Sequence, residues 1–253
     1  IVNEDGSVTE IENSVQKASH LIAGFEYDIT ENLNINVEGY YKKYNQLINA
    51  NRFKIFDETT QGVPDYLKTD YLVETGDVIG IDFVLKYTDR VNFIWVVYSY
   101  GKSDRWDGIQ SYNPVYDRRH NVNVVASRKF GKTKSWEVNV RWNFGSGFPF
   151  TQTAGFYEGQ ALADGINTDI TTSNSEAIDY ILSDLNKGRL PTYHRLDVGV
   201  KKTFDFKNKN KLVIDFSVTN VYDRANVFYV DRFTAEVVNQ LPILPSLGIN
   251  FHF

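Results

Sequence analysis

The sequence predicts an all-β chain, an antiparallel transmembrane β-barrel, on three observations. Apolar and polar residues alternate with period two through most of its length. The links between the alternating stretches are short and long in strict turn. No apolar run reaches the ~18 residues of a membrane-crossing helix, whereas a barrel strand needs only every second residue apolar.

Nine strands are expected. The first covers about Ala18 to Ile29, with Leu21, Ala23, Phe25 and Tyr27 on one parity. The second, Leu33 to Tyr44, sets Leu33, Ile35, Val37 and Tyr41 against Asn34, Asn36, Glu38 and Lys42. The third, Val78 to Thr88, sets Ile79, Ile81, Phe83, Leu85 and Tyr87 on one face. The fourth, Val91 to Tyr100, is apolar on both parities, which leaves its orientation open. The fifth runs from Arg119 to Phe130, and the sixth from Ser135 to Phe144, where Trp136, Val138, Val140 and Trp142 oppose Glu137, Asn139, Arg141 and Asn143. The seventh and eighth form a hairpin within His194 to Asn220, with Leu196, Val198 and Val200 on one parity and Arg195, Asp197 and Lys201 on the other. The ninth is "SLGINFHF". "TEN", "DR", "GKTK" and "NKNK" are the tight links. The long ones span about Asn45 to Asp77, Gly101 to Arg118, Gly145 to Thr192 and Asp223 to Pro245. Within the third of these, "NSEAIDYILSDLN" has helical spacing behind Ser173 or Ser175 as cap, so a short helix is expected there. "GSGFPF" reads as a strand leaving the membrane into a flexible turn.

Which face meets lipid follows from charge and aromatic placement. Arg141, Arg195, Asp197, Lys201 and Asp215 share the polar parity with Glu38, Asp82 and Glu137. A narrow apolar barrel interior does not hold that many charges, and a wide, wet lumen does. These five are therefore read as lumen-lining. Tyr27, Tyr41, Tyr87, Trp136, Phe144, Tyr222 and Phe253 sit near strand ends, as girdles at the two membrane interfaces require. The other reading is a soluble sheet with one wet face, which leaves the loop asymmetry unexplained.

Composition agrees. The 253 residues are 42% hydrophobic and 15% aromatic, with no cysteine, and the net charge of −5 and absence of a basic tract argue against nucleic acid. Mean hydropathy is −0.37, a value a barrel tolerates because alternate residues face water. A chain starting at Ile1 reads as processed or as a fragment. Residues 1–17 read as the tail of a long loop or an additional strand, and residues 18–253 as barrel wall.

Chemistry is sparse. The four histidines stand in no H-E-x-x-H, no cysteine or acidic cluster completes a zinc set, and G-x-S-x-G is missing. No catalytic residue, metal ligand or cofactor is assigned, and the chain is read as a non-enzyme. His194 and Arg195, at the outer end of a strand, are read as linking loop to wall. Aromatics beside polar groups in the long loops suit stacking on a sugar or aromatic ligand, so Trp106, Tyr112, Tyr116, Phe148, Phe150, Phe156 and Tyr157 are the candidate binding residues.

"GRLPTYHRLDVGVKKTF", "FSVTNVYDRANVFYV" and "LPILPSLGINFHF" resemble the last three strands of TonB-dependent outer-membrane receptors, most of all the branch with a carboxypeptidase-regulatory-like N-terminal domain. The resemblance covers about Gly188 to Phe253; upstream only the pattern agrees. It implies a 22-stranded barrel of which this chain supplies the last nine strands. It also implies an N-terminal plug beyond this chain that contacts TonB, and energised uptake of a siderophore, corrinoid, oligosaccharide or peptide. Phe253 would be the C-terminal aromatic read by the assembly machinery. Outer-membrane lipid and a surface lipoprotein lid are further implied partners. The alternative is a small closed outer-membrane barrel, an enzyme or adhesin, completed by Val2 to Ile11 as a tenth strand.

Overall fold

Nine long strands hydrogen-bond in chain order into one antiparallel sheet, each neighbour in sequence a neighbour in space. In a computed structural model that describes residues 15–158, 178–207 and 210–253, they are β1 (Lys17–Thr30), β2 (Leu33–Ala50), β3 (Tyr71–Thr88), β4 (Asn92–Trp106), β5 (His120–Phe130), β6 (Trp136–Gly145), β7 (Tyr193–Asp205), β8 (Lys211–Thr219) and β9 (Leu244–His252). Among the described residues β1 and β9 do not pair with each other, so the sheet is open. Lys17 opens β1; residues 1–14, which hold the expected loop tail or tenth strand, lie outside the described residues.

Directly opposed residues lie on the same face of an antiparallel pair, so the register sorts the faces. One row runs Val124, Trp142, Leu196. The next runs Ala126, Val140, Val198, Val218. Further along come Val200, Phe216 and Leu247. Every expected apolar parity falls on this one continuous face. It also decides β4, whose sequence is apolar both ways. Tyr98, Val96 and Ile94 oppose Phe83, Leu85 and Tyr87, which puts them on the apolar face and leaves Trp95, Val97 and Ser99 on the polar one.

The polar face carries complementary charge. Asp197 opposes Arg141, and Lys201 opposes both Glu137 and Asp215. Arg195 donates to the Asp197 carboxylate at 2.9 Å. Tyr40 on β2 opposes Gly80 on β3, and its ring covers the space a Cβ on Gly80 would fill. An aromatic laid over a strand glycine in this way recovers packing that the glycine forfeits.

Long loops fold back against the polar face at one end of the sheet. Leu72 and Glu74 of β3 and Ser103 of β4 share the polar parity and are buried there. Among the described residues the apolar face has no such cover. Leu21, Phe25, Ile79, Phe216, Leu247 and Ile249 all stand exposed on it. No helix among the described residues is long and apolar enough to cross a membrane, which does not bear on a sheet that crosses with strands.

The tight links close as expected. Asp89 folds its carboxylate onto the Val91 and Asn92 amides at 2.8 and 2.6 Å and accepts from Tyr87 at 2.9 Å, contacts that hold it well below the usual carboxylate range. Gly131 takes φ 88° at the head of "GKTK", a conformation a glycine adopts freely. In "NKNK", residues 208–209 lie outside the described residues, and Phe206 N bonds Asn210 O across them at 2.9 Å.

Three expectations need correction. Strands β2, β3 and β4 run on to Ala50, back to Tyr71 and on to Trp106, well into the expected loops. Both faces are polar or mixed there, so the apolar alternation that marks the wall fades while the backbone ladder continues. The expected helix is a strand where it is described: Ile178–Leu182 pairs with Thr153–Glu158, and the rest of that motif before residue 178 lies outside the described residues. A helical segment that short is marginal alone, and β-branched Ile178 and Ile181 suit the ladder on offer. "GSGFPF" is no free turn either: Pro149–Phe150 pairs with Gly188–Arg189, and Leu190 N bonds Phe148 O at 2.9 Å.

The two faces predict opposite responses to charge. Val198→Arg, mid-strand on the apolar face, is expected to cost about 2–4 kcal/mol of folding free energy in lipid vesicles, and Ser217→Arg on the polar face less than about 1 kcal/mol. Urea titration of both variants in vesicles of matched thickness measures the difference.

Candidate ligand-binding site at the loop end

Each of the four long loops is fastened by a buried or half-buried Asn or Asp. Asn51 donates to the Tyr66 and Thr69 carbonyls at 2.6 and 2.7 Å and closes the loop between β2 and β3. Asp107 accepts from the Ile109 and Gln110 amides at 2.9 and 2.8 Å and turns the chain out of β4. Asn186 bonds Thr151 within its own loop and donates to the Asn113 carbonyl of the loop before it at 2.8 Å. Asn220 has no exposed surface and a left-handed φ of 55°. Its amide nitrogen reaches the Arg224 and Leu241 carbonyls at 3.0 and 3.2 Å, its side-chain oxygen takes the Arg224 N–H, and its own N–H donates to Asp197.

Two carboxylates tie these bases together. Glu74, with 1% of its side chain exposed, accepts from Arg52 at 2.7 Å, Asn49 at 3.2 Å, Tyr112 at 2.7 Å and Arg105 at 3.3 Å. Burial pushes the Tyr112 hydroxyl up; Arg52 opposes this and the Glu74 acceptor adds to it, so the phenol stays a neutral donor. Asp117, also 1% exposed, accepts from Arg189 at 2.6 Å, Arg119 at 2.8 Å and the Ser103 amide at 2.8 Å. Burial alone would raise its carboxyl. Arg119, Arg189 and the amide outweigh burial and hold it below the usual range.

The wall-to-loop link read from the sequence at His194 is present. Asn226 and His194 exchange backbone-to-amide bonds at 3.1 and 2.9 Å, and the His194 ring meets the Tyr222 hydroxyl at 2.7 Å. "NVYDRAN" is thus a fastening for the last loop, with Asn220, Tyr222, Arg224 and Asn226 each engaged.

Two adjoining clefts open between the fastened bases. One, of about 640 Å³, is lined by Phe150, Phe156, Phe228, Tyr229 and Arg232 among others. The other, of about 530 Å³, is lined by Arg52, Arg105, Tyr112, Tyr116, Phe150 and Arg232 among others. Phe150 and Arg232 belong to both. Of the residues expected from sequence, Tyr112, Tyr116, Phe150 and Phe156 come together here. Trp106 has the parity of the apolar face and stands exposed. Phe148 is covered by the Arg118 guanidinium at 4.2 Å, and Tyr157 is exposed outside both linings. The sequence reading set Arg105 beside the loop aromatics as a polar neighbour and missed Arg52, Arg232, Phe228 and Tyr229. The aromatics in "NVFYVDRF" offered a signal comparable to the loops that were chosen; Arg52 offered none, because only the fold brings it to the carboxylate it shares with Arg105. Arg141, Arg195, Asp197, Lys201 and Asp215 lie on the polar face below the clefts, and Phe253 is fully exposed beyond β9.

No protein-family model matches the chain, and no curated protein matches it. Solved structures share its fold. The ferripyoverdine receptor of the outer membrane of Pseudomonas aeruginosa, bound to ferripyoverdine, aligns with a TM-score of 0.59 at 9% identity, over 89% of this chain and 26% of that one. FpvA of P. aeruginosa with a heterologous pyoverdine and iron aligns with a TM-score of 0.60 at 10% identity, over 90% of this chain and 26% of that one. At that identity the likeness is one of fold: the chain has the architecture of an outer-membrane β-barrel wall and spans 26% of the length of those receptors.

The two fastenings respond differently to change. Asn220→Ala is expected to cost about 3 kcal/mol, from buried hydrogen bonds at about 1 kcal/mol each and a strained left-handed residue; Asn220→Gly, which relieves the strain, costs about 1 kcal/mol less. Thermal unfolding of the pair measures it. For Asp117 the folded carboxyl lies below its unfolded value near ~3.9. Its contribution is therefore complete above about pH 4 and is lost as pH falls through the folded value. Amide exchange of residues 103–119, corrected for intrinsic rates, should show protection flat from about pH 7 to 5 and falling below about 4. Asp117→Asn should lower protection at neutral pH by about 2–3 kcal/mol, less than for a fully buried pair because Arg119 and Arg189 are partly wet.

Proposed function

We propose that this chain is a sector of the wall of a TonB-dependent outer-membrane receptor that binds a bulky, scarce nutrient at its outer face and admits it through a wet lumen. The observation that carries the reading is the division of the sheet: among the described residues its apolar face is continuous and uncovered, and the bases of the long loops fold back over the polar face at one end, where the clefts lie. The end with tight links is the periplasmic one. Trp136, Tyr27 and Tyr87 form the girdle there, and Tyr41 and Phe144 the girdle outside.

Among the described residues the edges of β1 and β9 are unpaired, and an edge in hydrocarbon leaves a row of backbone groups unsatisfied, so this sheet needs further strands to close. In this reading the chain forms the last nine strands of a barrel of about 22, and Phe253 serves the assembly machinery. A plug from elsewhere in the protein meets TonB, and a surface lipoprotein lid completes the loop end. The branch with the carboxypeptidase-regulatory-like domain is favoured by the sequence motifs "RLPTYHRLD" and "NVYDRAN". Substrate handling here is binding and passage, without catalysis.

The test is growth of a strain lacking the protein on ferric siderophores, corrinoids, oligosaccharides and peptides, each as the limiting source. A defect confined to one class and reproduced by loss of TonB is the expected outcome. Unimpaired growth on all four classes, or a defect independent of TonB, overturns the reading.

A further inference from the structure

The electrostatics of the two clefts are uneven. Three guanidinium groups, Arg52, Arg105 and Arg232, line the smaller cleft, and no Asp or Glu is among its described lining residues. The carboxylates that balance the first two, Glu74 and Asp107, are 1% exposed and stand behind the arginines rather than on the surface. Arg52 and Arg105 are thereby fixed in place: Arg52 also stacks on Tyr112 at 4.4 Å, and Arg105 donates to Tyr116 at 2.5 Å. Arg105 Nε is buried without a hydrogen-bond partner among the described residues. Arg232 is held by Thr153 at 3.0 Å and lies over the Tyr180 ring at 5.4 Å, and among the described residues it has no carboxylate partner.

The larger cleft next to it is apolar and aromatic. The one carboxylate among its described lining residues, Asp231, is committed to its own turn, where it accepts from the Phe233 and Thr234 amides at 2.9 and 2.8 Å. Arg232 stands at the border, in both linings.

We propose that the two clefts are one bipartite site for an amphipathic anion: a carboxylate-class group held by Arg232 at the cationic cleft, and an apolar or aromatic body lying against Phe150, Phe156 and Phe228. This rests on the reading of the loop end as the binding face and names the ligand chemistry that face selects. Arginine suits the role because its planar fork meets a carboxylate with two parallel hydrogen bonds, and because Arg52 and Arg105 add positive potential without having to reorient. The aromatic cleft supplies affinity through buried area and the guanidinium supplies discrimination.

The probes are 2-naphthylacetate and its uncharged amide, measured by equilibrium dialysis against the intact protein in lipid nanodiscs. The wild type is expected to bind the carboxylate at least about tenfold more tightly than the amide. Arg232→Gln should remove that preference and leave amide binding unchanged, and Arg232→Lys should restore part of it. Phe228→Ala, at an exposed ring, should weaken both probes by the same factor. Equal binding of acid and amide, an unaltered preference in Arg232→Gln, or no binding of either probe at millimolar concentration overturns the proposal. Discrimination by the clefts in a protein whose loss leaves growth unimpaired would sink the uptake reading and leave this one standing.

Discussion

Backbone amides inside a bilayer have no water to turn to, and that constraint organises everything else in the molecule. A sheet meets it by pairing each strand with its neighbours, and nine strands joined in chain order do so with the shortest connections available. Once the ladder is fixed, period two leaves each side chain only two places to go. The apolar set lies exposed on one surface, and the polar set on the other is free to carry charge. Asp197 opposite Arg141 and Lys201 opposite Asp215 are tolerable because that face is wet.

The same constraint explains what the sequence makes legible. Strands such as β6 and β7, with one apolar and one charged parity, show their position and their facing directly. β4 does not, because Phe93, Trp95 and Val97 are as apolar as Ile94, Val96 and Tyr98, and only register with β3 assigns the faces. Past the membrane boundary the solvent is the same on both sides, alternation has no cause, and the continuations to Ala50 and Trp106 look like loop. The segment at Ile178 to Leu182 shows the other limit: its spacing suits a helix, and a partner strand about twenty residues upstream decides against it.

The candidate site was half legible for a related reason. Aromatics in loops are conspicuous in sequence, so Tyr112, Tyr116, Phe150 and Phe156 could be picked, along with Trp106, Phe148 and Tyr157, which the fold directs elsewhere. The charged partners are contributed by four separate connections and meet only after folding. Glu74 draws in Arg52 from one connection and Arg105 and Tyr112 from the end of β4 and the loop after it. The fastening residues are Asn and Asp, types that any loop contains, and nothing local marks Asn186 or Asn220 as buried.

Fastening each loop at its base has a consequence for how such a protein changes over time. The residues that hold a loop to the wall are distinct from those at its tip, so a tip can lengthen, shorten or change its chemistry without disturbing Glu74, Asp117 or Asn220. Variation is channelled to the positions that meet the outside world, and the wall below is insulated from it. A lineage built this way can alter the outer parts of its loops by small steps, each neutral for the sheet, with the clamps inherited unchanged.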